Sequence, residues 1–155
     1  MAGGFETDIV WRLETNLDDC PAEWLGAVLE RLLEAGALDV WFTPIQMKKH
    51  RPGTMLSVLA DEATRDALVE IMLTHTTAFG VRVERLERVK LARRSETVPT
   101  AFGEIAVKLG LHGTRVVQVA PEFASARAAA ERHGQPLRVI YEAAVRAWHD
   151  QAAAH

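Results

Sequence analysis

The sequence predicts an α+β fold: a ferredoxin-like βαββαβ sandwich followed by a β-hairpin, a further strand and two helices. Three observations carry that prediction. Segments with period-two and period-3.6 apolar patterns follow one another in this order. Glycine and proline punctuate the junctions, at Pro21, Gly36, Pro52-Gly53 and Gly80. A chain of 155 residues, 48% hydrophobic and 25% charged, suits one core-bearing domain, or one with a small appendage.

Residues 8–16 alternate as a strand does. Ile9, Trp11, Leu13 and Thr15 share one face; Arg12, Glu14 and Asn16 share the other. Pro21 opens a helix, where its missing N–H costs nothing. Trp24, Val28 and Leu32, with Leu25 and Leu29 beside them, form its apolar stripe, and Gly36 ends it. Leu38 to Gln46, rich in β-branched and aromatic residues, reads as a strand, and the Lys48–Gly53 turn leads into another, Met55 to Leu59. Asp61 can cap a second helix with Leu68, Ile71 and Met72 on its buried side. That helix frays over His75–Ala78 and stops at Gly80, and Val81 to about Leu91 is the fourth strand.

Residues 93–120 read as a hairpin turning near Phe102-Gly103, with a strand from Arg115 to Val119. Pro121 starts a helix that breaks at Gly134. Pro136 starts another, burying Leu137, Ile140, Tyr141, Ala144 and Trp148. Gln151–His155 reads as a frayed tail, and Gly3-Gly4 as a linker or remnant. The expected division is 8–92 for the sandwich and 93–150 for the hairpin and helices, packed as an appendage of the same unit.

Topology brings distant segments together. Each β-crossover-β unit is right-handed with parallel strands, so strands 1 and 2 finish at the same end of the sheet. The second helix returns to that end. Asn16–Asp19, Lys48–Gly53 and Thr76–Gly80 are therefore expected to converge there. The opposite end carries plain connections, Ala37-Leu38 and Ala60-Asp61.

The converging residues suit phosphate and a divalent cation. Lys48, Lys49 and Arg51 are cations, Arg51 being a bidentate fork, and Gly53 allows a close backbone approach. Thr54, Thr76, Thr77 and Arg82 stand near them. Glu14, Asn16, Asp18 and Asp19 offer oxygen ligands of the kind Mg²⁺ or Mn²⁺ takes. Each feature also has a plainer reading. A lysine-rich turn discourages edge pairing, aspartates before a helix act as caps, and the threonine pair can close the second helix. The sequence names no attacking or other catalytic group.

Other residues point away from site chemistry. Of the six histidines, none shows zinc-type pairing; His50 stands apart only by lying in the basic turn. Cys20, the single cysteine, follows two aspartates that disfavour a thiolate, and reads as a small buried side chain. Trp11, Trp24, Trp41 and Trp148 read as core or interface residues. A net charge of −3 argues against nucleic acid as the main partner. No apolar run reaches a membrane span and no secretory signal is visible, so the expected setting is cytoplasmic.

Several runs resemble the C-terminal region of the LarC family, the nickel insertion proteins of nickel-pincer nucleotide cofactor synthesis. They are Glu14–Asp19, Glu34–Val40, Thr43-Pro44-Ile45, Met47–Thr54, Thr76-Thr77, Gly80-Val81-Arg82 and Pro121-Glu122-Phe123, in order along nearly the whole chain. The resemblance implies a CTP-dependent nickel insertase (lyase type), acting on pyridinium-3,5-bisthiocarboxylic acid mononucleotide. It implies that 8–92 binds CTP with Mg²⁺ or Mn²⁺, and that the chain forms a homo-oligomer. Lys48, Lys49, Arg51, Gly53 and Thr54 would hold the triphosphate, supported by Thr76, Thr77 and Arg82. Asp18 and Asp19, joined by Glu14 or Asn16, would hold the metal. The family's histidine-rich N-terminal region has no counterpart here, so a separate nickel-binding region is an expected partner and catalysis by this piece is incomplete. Cys20 stands where methionine is usual, and Ala124-Ser125-Ala126 where an aspartate and a cysteine are typical. Two rival readings are a non-catalytic oligomeric scaffold or sensor that binds nucleotide or metal, and a small acyl-phosphate hydrolase on the same fold.

Overall fold

The computed structural model describes residues 4–153. In chain order the elements are β1 (Phe5–Leu17), α1 (Ala22–Glu34), β2 (Asp39–Met47), β3 (Arg51–Ala60), α2 (Arg65–His75) and β4 (Arg82–Thr100). They continue with β5 (Gly103–His112), β6 (Arg115–Pro121), α3 (Phe123–His133) and α4 (Leu137–Ala153). A three-residue turn, Lys48–His50, joins β2 to β3. The chain forms two compact units, Thr7–Arg88 and a second made of the N-terminal residues through Glu6 with Val89 onward.

In the Thr7–Arg88 unit the strand order is β2-β3-β1-β4, the ferredoxin-like arrangement. β3 is antiparallel to both its neighbours, with Leu13 opposite Val58 and Val40 opposite Val58 on the other side. Alternation places Leu13, Leu17, Val40, Leu56, Val58 and Ala60 on one face, where they pack with Leu25, Val28, Leu32, Leu68 and Met72 of the helices. Fully burying each of these leucine, valine and methionine side chains stabilises by about 1.5–3 kcal/mol. Arg12, Glu14 and Asn16 take the other face, as their register with Leu59, Ser57 and Met55 requires.

The second unit has its own core. Val98, Ile105, Val107 and Leu109 of the sheet pack with Ala126, Ala129, Ala130, Ile140 and Ala144 of α3 and α4. β5 pairs antiparallel with β4 and β6. Gly134 closes α3 in the left-handed conformation at φ 61. Near the N-terminus, Gly4 O accepts from Gly113 N–H at 3.2 Å, and the rings of Phe5 and His112 lie 4.5 Å apart.

Several expectations need correction. The fourth strand does not end near Leu91: β4 is one 19-residue strand that also supplies the first arm of the hairpin. No glycine, proline, asparagine or aspartate lies between Arg82 and Val98 to turn the chain. Trp24 is outside the buried stripe of α1 and is 52% exposed. Ile9 is 36% exposed and Trp11 half-buried. Trp11 Nε1 donates to Glu62 at 2.7 Å, while the Arg65 guanidinium lies over its ring at 4.5 Å. Cys20 is half-buried at the rim of the core. Asp61 does not cap α2 directly; it organises the turn before it, accepting from Thr64 N–H and Thr64 Oγ1, both at 2.9 Å. Residues 151–153 continue α4, while Gly3 and positions 154–155 lie outside the described residues.

Candidate functional site

The three segments expected to converge do so within the Thr7–Arg88 unit. Arg51 Nη1 donates to Asp18 Oδ2 at 3.2 Å, tying the basic turn to the end of β1. Thr77 Oγ1 donates to Asp19 Oδ1 at 2.5 Å, tying in the segment after α2. Arg82 Nη2 donates to Asn16 Oδ1 at 2.8 Å and lies 3.6 Å from Glu14 Oε2. Thr15 Oγ1 donates to Gly80 O at 2.9 Å and pins the entry to β4 against β1.

The basic turn has an unusual backbone. Lys49 and His50 both occupy the left-handed region, at φ 60 and 58. For residues carrying a Cβ this costs roughly 1–2 kcal/mol each, and such strain concentrates at functional sites. Lys48, Lys49 and His50 are all exposed. The guanidiniums of Arg51 and Arg82 are 57% and 55% exposed, so both can reach an anion while holding their carboxyl or amide partners.

The residues do not all join the cluster. Gly53 has a packing role: a Cβ there would lie 2.8 Å from Leu17 O and 2.7 Å from Met47 Sδ. Thr54 shares its face with the buried Leu56 and Val58, away from Arg51 and Gly53. Thr76 closes α2, its hydroxyl donating to Met72 O at 2.6 Å and accepting from Ala78 N–H at 3.0 Å.

The four expected metal ligands are each engaged. Glu14 accepts from Ser57 Oγ at 3.3 Å and lies 3.4 Å from Arg12 Nε. Asn16, Asp18 and Asp19 hold Arg82, Arg51 and Thr77 respectively. Among the described residues no three His, Cys, Asp or Glu side chains form a metal-holding group. Asp18 and Asp19 could therefore hold a cation only with further oxygens from water or a ligand.

Arg12, Ser57 and Glu84 extend the network and were not singled out from the sequence. Arg12 Nη2 donates to Glu84 at 2.5 Å. Glu84 first, then Glu14, raises the Arg12 guanidinium above its ordinary range. Ser57 is fully buried in an otherwise apolar stretch of β3, which is the signal that could have marked it.

The family described as nickel insertion protein matches residues 1–141. A relative in Syntrophotalea carbinolica, provisionally named a nickel insertion protein, is 46% identical over 94% of this chain and 37% of its own length. One in Thermotoga sp. (strain RQ2), named pyridinium-3,5-bisthiocarboxylic acid mononucleotide nickel insertion protein, is 40% identical over 84% of this chain and 33% of its own. The chain thus spans about a third of the curated relatives it matches. A solved structure is similar at TM-score 0.86 and 41% identity, covering 92% of this chain and 98% of that one. It is described as LarC2, the C-terminal domain of a cyclometallase involved in synthesis of the NPN cofactor of lactate racemase. On the family match and these identities, the chain belongs to the nickel insertion protein family.

Proposed function

We propose that this chain is the nucleotide-binding part of a CTP- and divalent-metal-dependent enzyme that inserts nickel into pyridinium-3,5-bisthiocarboxylic acid mononucleotide. The observation that carries the reading is the union of Arg51, Arg82, Asp18, Asp19 and Thr77 at one end of the sheet, beside the exposed Lys48 and Lys49. Exposed cations of this density fit a polyphosphate.

Lys48, Lys49, Arg51 and Arg82 would hold the phosphates. Asp18 and Asp19 would hold Mg²⁺ or Mn²⁺ together with phosphate oxygens. The Arg51–Asp18 pair suggests how one ligand serves both. When phosphate takes the guanidinium, the carboxylate is freed for the cation. The bound nucleotide would supply a phosphoanhydride for phosphoryl or nucleotidyl transfer. Nickel and the pyridinium mononucleotide are substrates, and the remaining two thirds of the relatives' length would contribute the nickel-binding partner region. A homo-oligomer accords with the exposed Leu33, Leu73 and Phe79 on this unit.

Calorimetric titration with CTP and Mn²⁺, alongside ATP and GTP, tests the reading. Metal-dependent binding of CTP, weakened at least tenfold by Arg51→Ala, is the expected result. A folded chain that binds no nucleotide would overturn it.

A further inference from the structure

We propose that a cavity between β4 and the end of α4 binds the pyridinium mononucleotide substrate. Trp148 stacks on its ring, Arg94 holds a thiocarboxylate and Glu96 faces the positive charge of the ring. This rests on the substrate named in the reading above. It uses none of the phosphate-binding candidates, since all its residues belong to the unit from Val89 onward.

Alternation along β4 builds one wall. Arg94, Glu96 and Val98 are two positions apart and share a face. Val98 is fully buried among residues of α3 and α4, and Arg94 and Glu96 continue its row past the edge of that core. Trp148 supplies the other wall. It packs on the same core, and its Nε1 donates to Glu96 Oε2 at 3.1 Å. Arg94 Nη2 lies 2.6 Å from Glu96 Oε1. The carboxylate is thus fixed at both oxygens, and it aims the guanidinium in turn. With Gln151 and Ala152 these three side chains enclose about 440 Å³. Small-molecule sites ordinarily span roughly 300–1,000 Å³.

The lining is mixed in sign, and the mixture selects. The indole N–H is engaged by Glu96, so Trp148 offers a ligand its ring face. An aromatic face beside a carboxylate favours a cation, and a flat one can stack. Arg94 is 56% exposed and meets Glu96 through one nitrogen, so further N–H donors remain for an anion. The ligand that uses all three groups is a ring cation with anionic arms. A pyridinium mononucleotide has that pattern: its ring nitrogen is quaternised by ribose, and its thiocarboxylic groups ionise at neutral pH. A neutral base would leave Glu96 without a countercharge, and a polyphosphate would be repelled by it. A bare metal ion would make no use of Arg94 or the indole.

Nicotinic acid mononucleotide is the probe, with nicotinamide mononucleotide beside it. Both carry the cationic ring, and only the acid carries an anionic arm on it. Calorimetry on wild type, Arg94→Gln, Glu96→Gln and Trp148→Phe should show the acid binding about fivefold more tightly than the amide in wild type. Arg94→Gln should abolish that preference and leave the amide unchanged. Glu96→Gln should weaken both ligands. Indole emission should be quenched by either ligand in wild type and not in Trp148→Phe. Arg94 is a surface residue, so its variant keeps the test open where loss of the indole disturbs α4. If the preference for the acid survives in Arg94→Gln, or quenching survives in Trp148→Phe, the ring lies elsewhere and the inference is overturned. If wild type binds CTP with Mn²⁺ but neither pyridinium mononucleotide, the inference fails alone. If it binds none of them, the reading above fails and the inference falls with it.

Discussion

At the scale of single residues, the basic turn separates stability from binding. Lys49 and His50 sit at φ 60 and 58, where glycine has no Cβ to clash. His50→Gly should raise stability by about 0.5–1 kcal/mol, the relief of left-handed strain less glycine's entropy cost, read as a higher urea midpoint. Lys49→Gly should gain a similar amount while weakening polyphosphate binding, because it also removes a cation. Gly53→Ala points the other way. Its Cβ would press on Leu17 O, a backbone atom that cannot swing aside, and should cost about 1–3 kcal/mol. Asp61 predicts a pH dependence. The N–H of Thr64 first, then its hydroxyl, holds the Asp61 carboxyl below its ordinary 3.8. That contribution is complete above pH 3.8 and is lost as pH falls through the lower folded value. Asp61→Ala should therefore lower the thermal midpoint at pH 7 and match wild type more closely as the solution is acidified below pH 3.8.

At the scale of elements, the sequence exposes order and period better than pairing. β1, α1, β2 and β3 announce themselves through alternation, a 3.6-residue stripe and the Gly36 and Pro52-Gly53 punctuation. β4 is harder to read because charges recur through Arg82–Arg94, so neither face shows a long apolar row. Its lack of glycine, proline, asparagine and aspartate before Val98 is the clue that it continues. The site follows the same logic. Right-handed crossovers bring Asp18, Arg51 and Thr77 to one end of the sheet, and that much is legible. Which cation meets which acceptor depends on β4 lying beside β1, since Arg82 reaches Asn16 and Glu84 reaches Arg12 across that pair. Gly53 illustrates the limit: the sequence shows a glycine after a basic turn, while the need for it comes from the Leu17 carbonyl. Leu13 shows what the strand pattern stabilises. It is fully buried at the centre of β1, and Leu13→Ala should cost about 2–5 kcal/mol in chemical unfolding.

At the scale of the whole molecule, charge sets the terms of binding. The chain carries a net −3, so its long-range field repels a polyphosphate. Attraction must come from Lys48, Lys49, Arg51 and Arg82, and Arg51 is already partly neutralised by Asp18. A divalent cation between the phosphates and Asp18 would remove that penalty and turn a repelling carboxylate into a ligand. Two opposite outcomes follow for Asp18→Asn. With Mn²⁺ present, the variant should bind CTP several-fold more weakly, because a metal ligand is lost. With Mn²⁺ removed by a chelator, wild-type affinity should collapse, and Asp18→Asn should bind better than wild type because Arg51 is released and a negative charge is gone. Added salt should weaken binding in both conditions, since these exposed charges are screened within about 10 Å at 0.1 M ionic strength. Weaker binding by Asp18→Asn both with and without metal would mean that Asp18 serves only to position Arg51, leaving the cation to Asp19 and the phosphates.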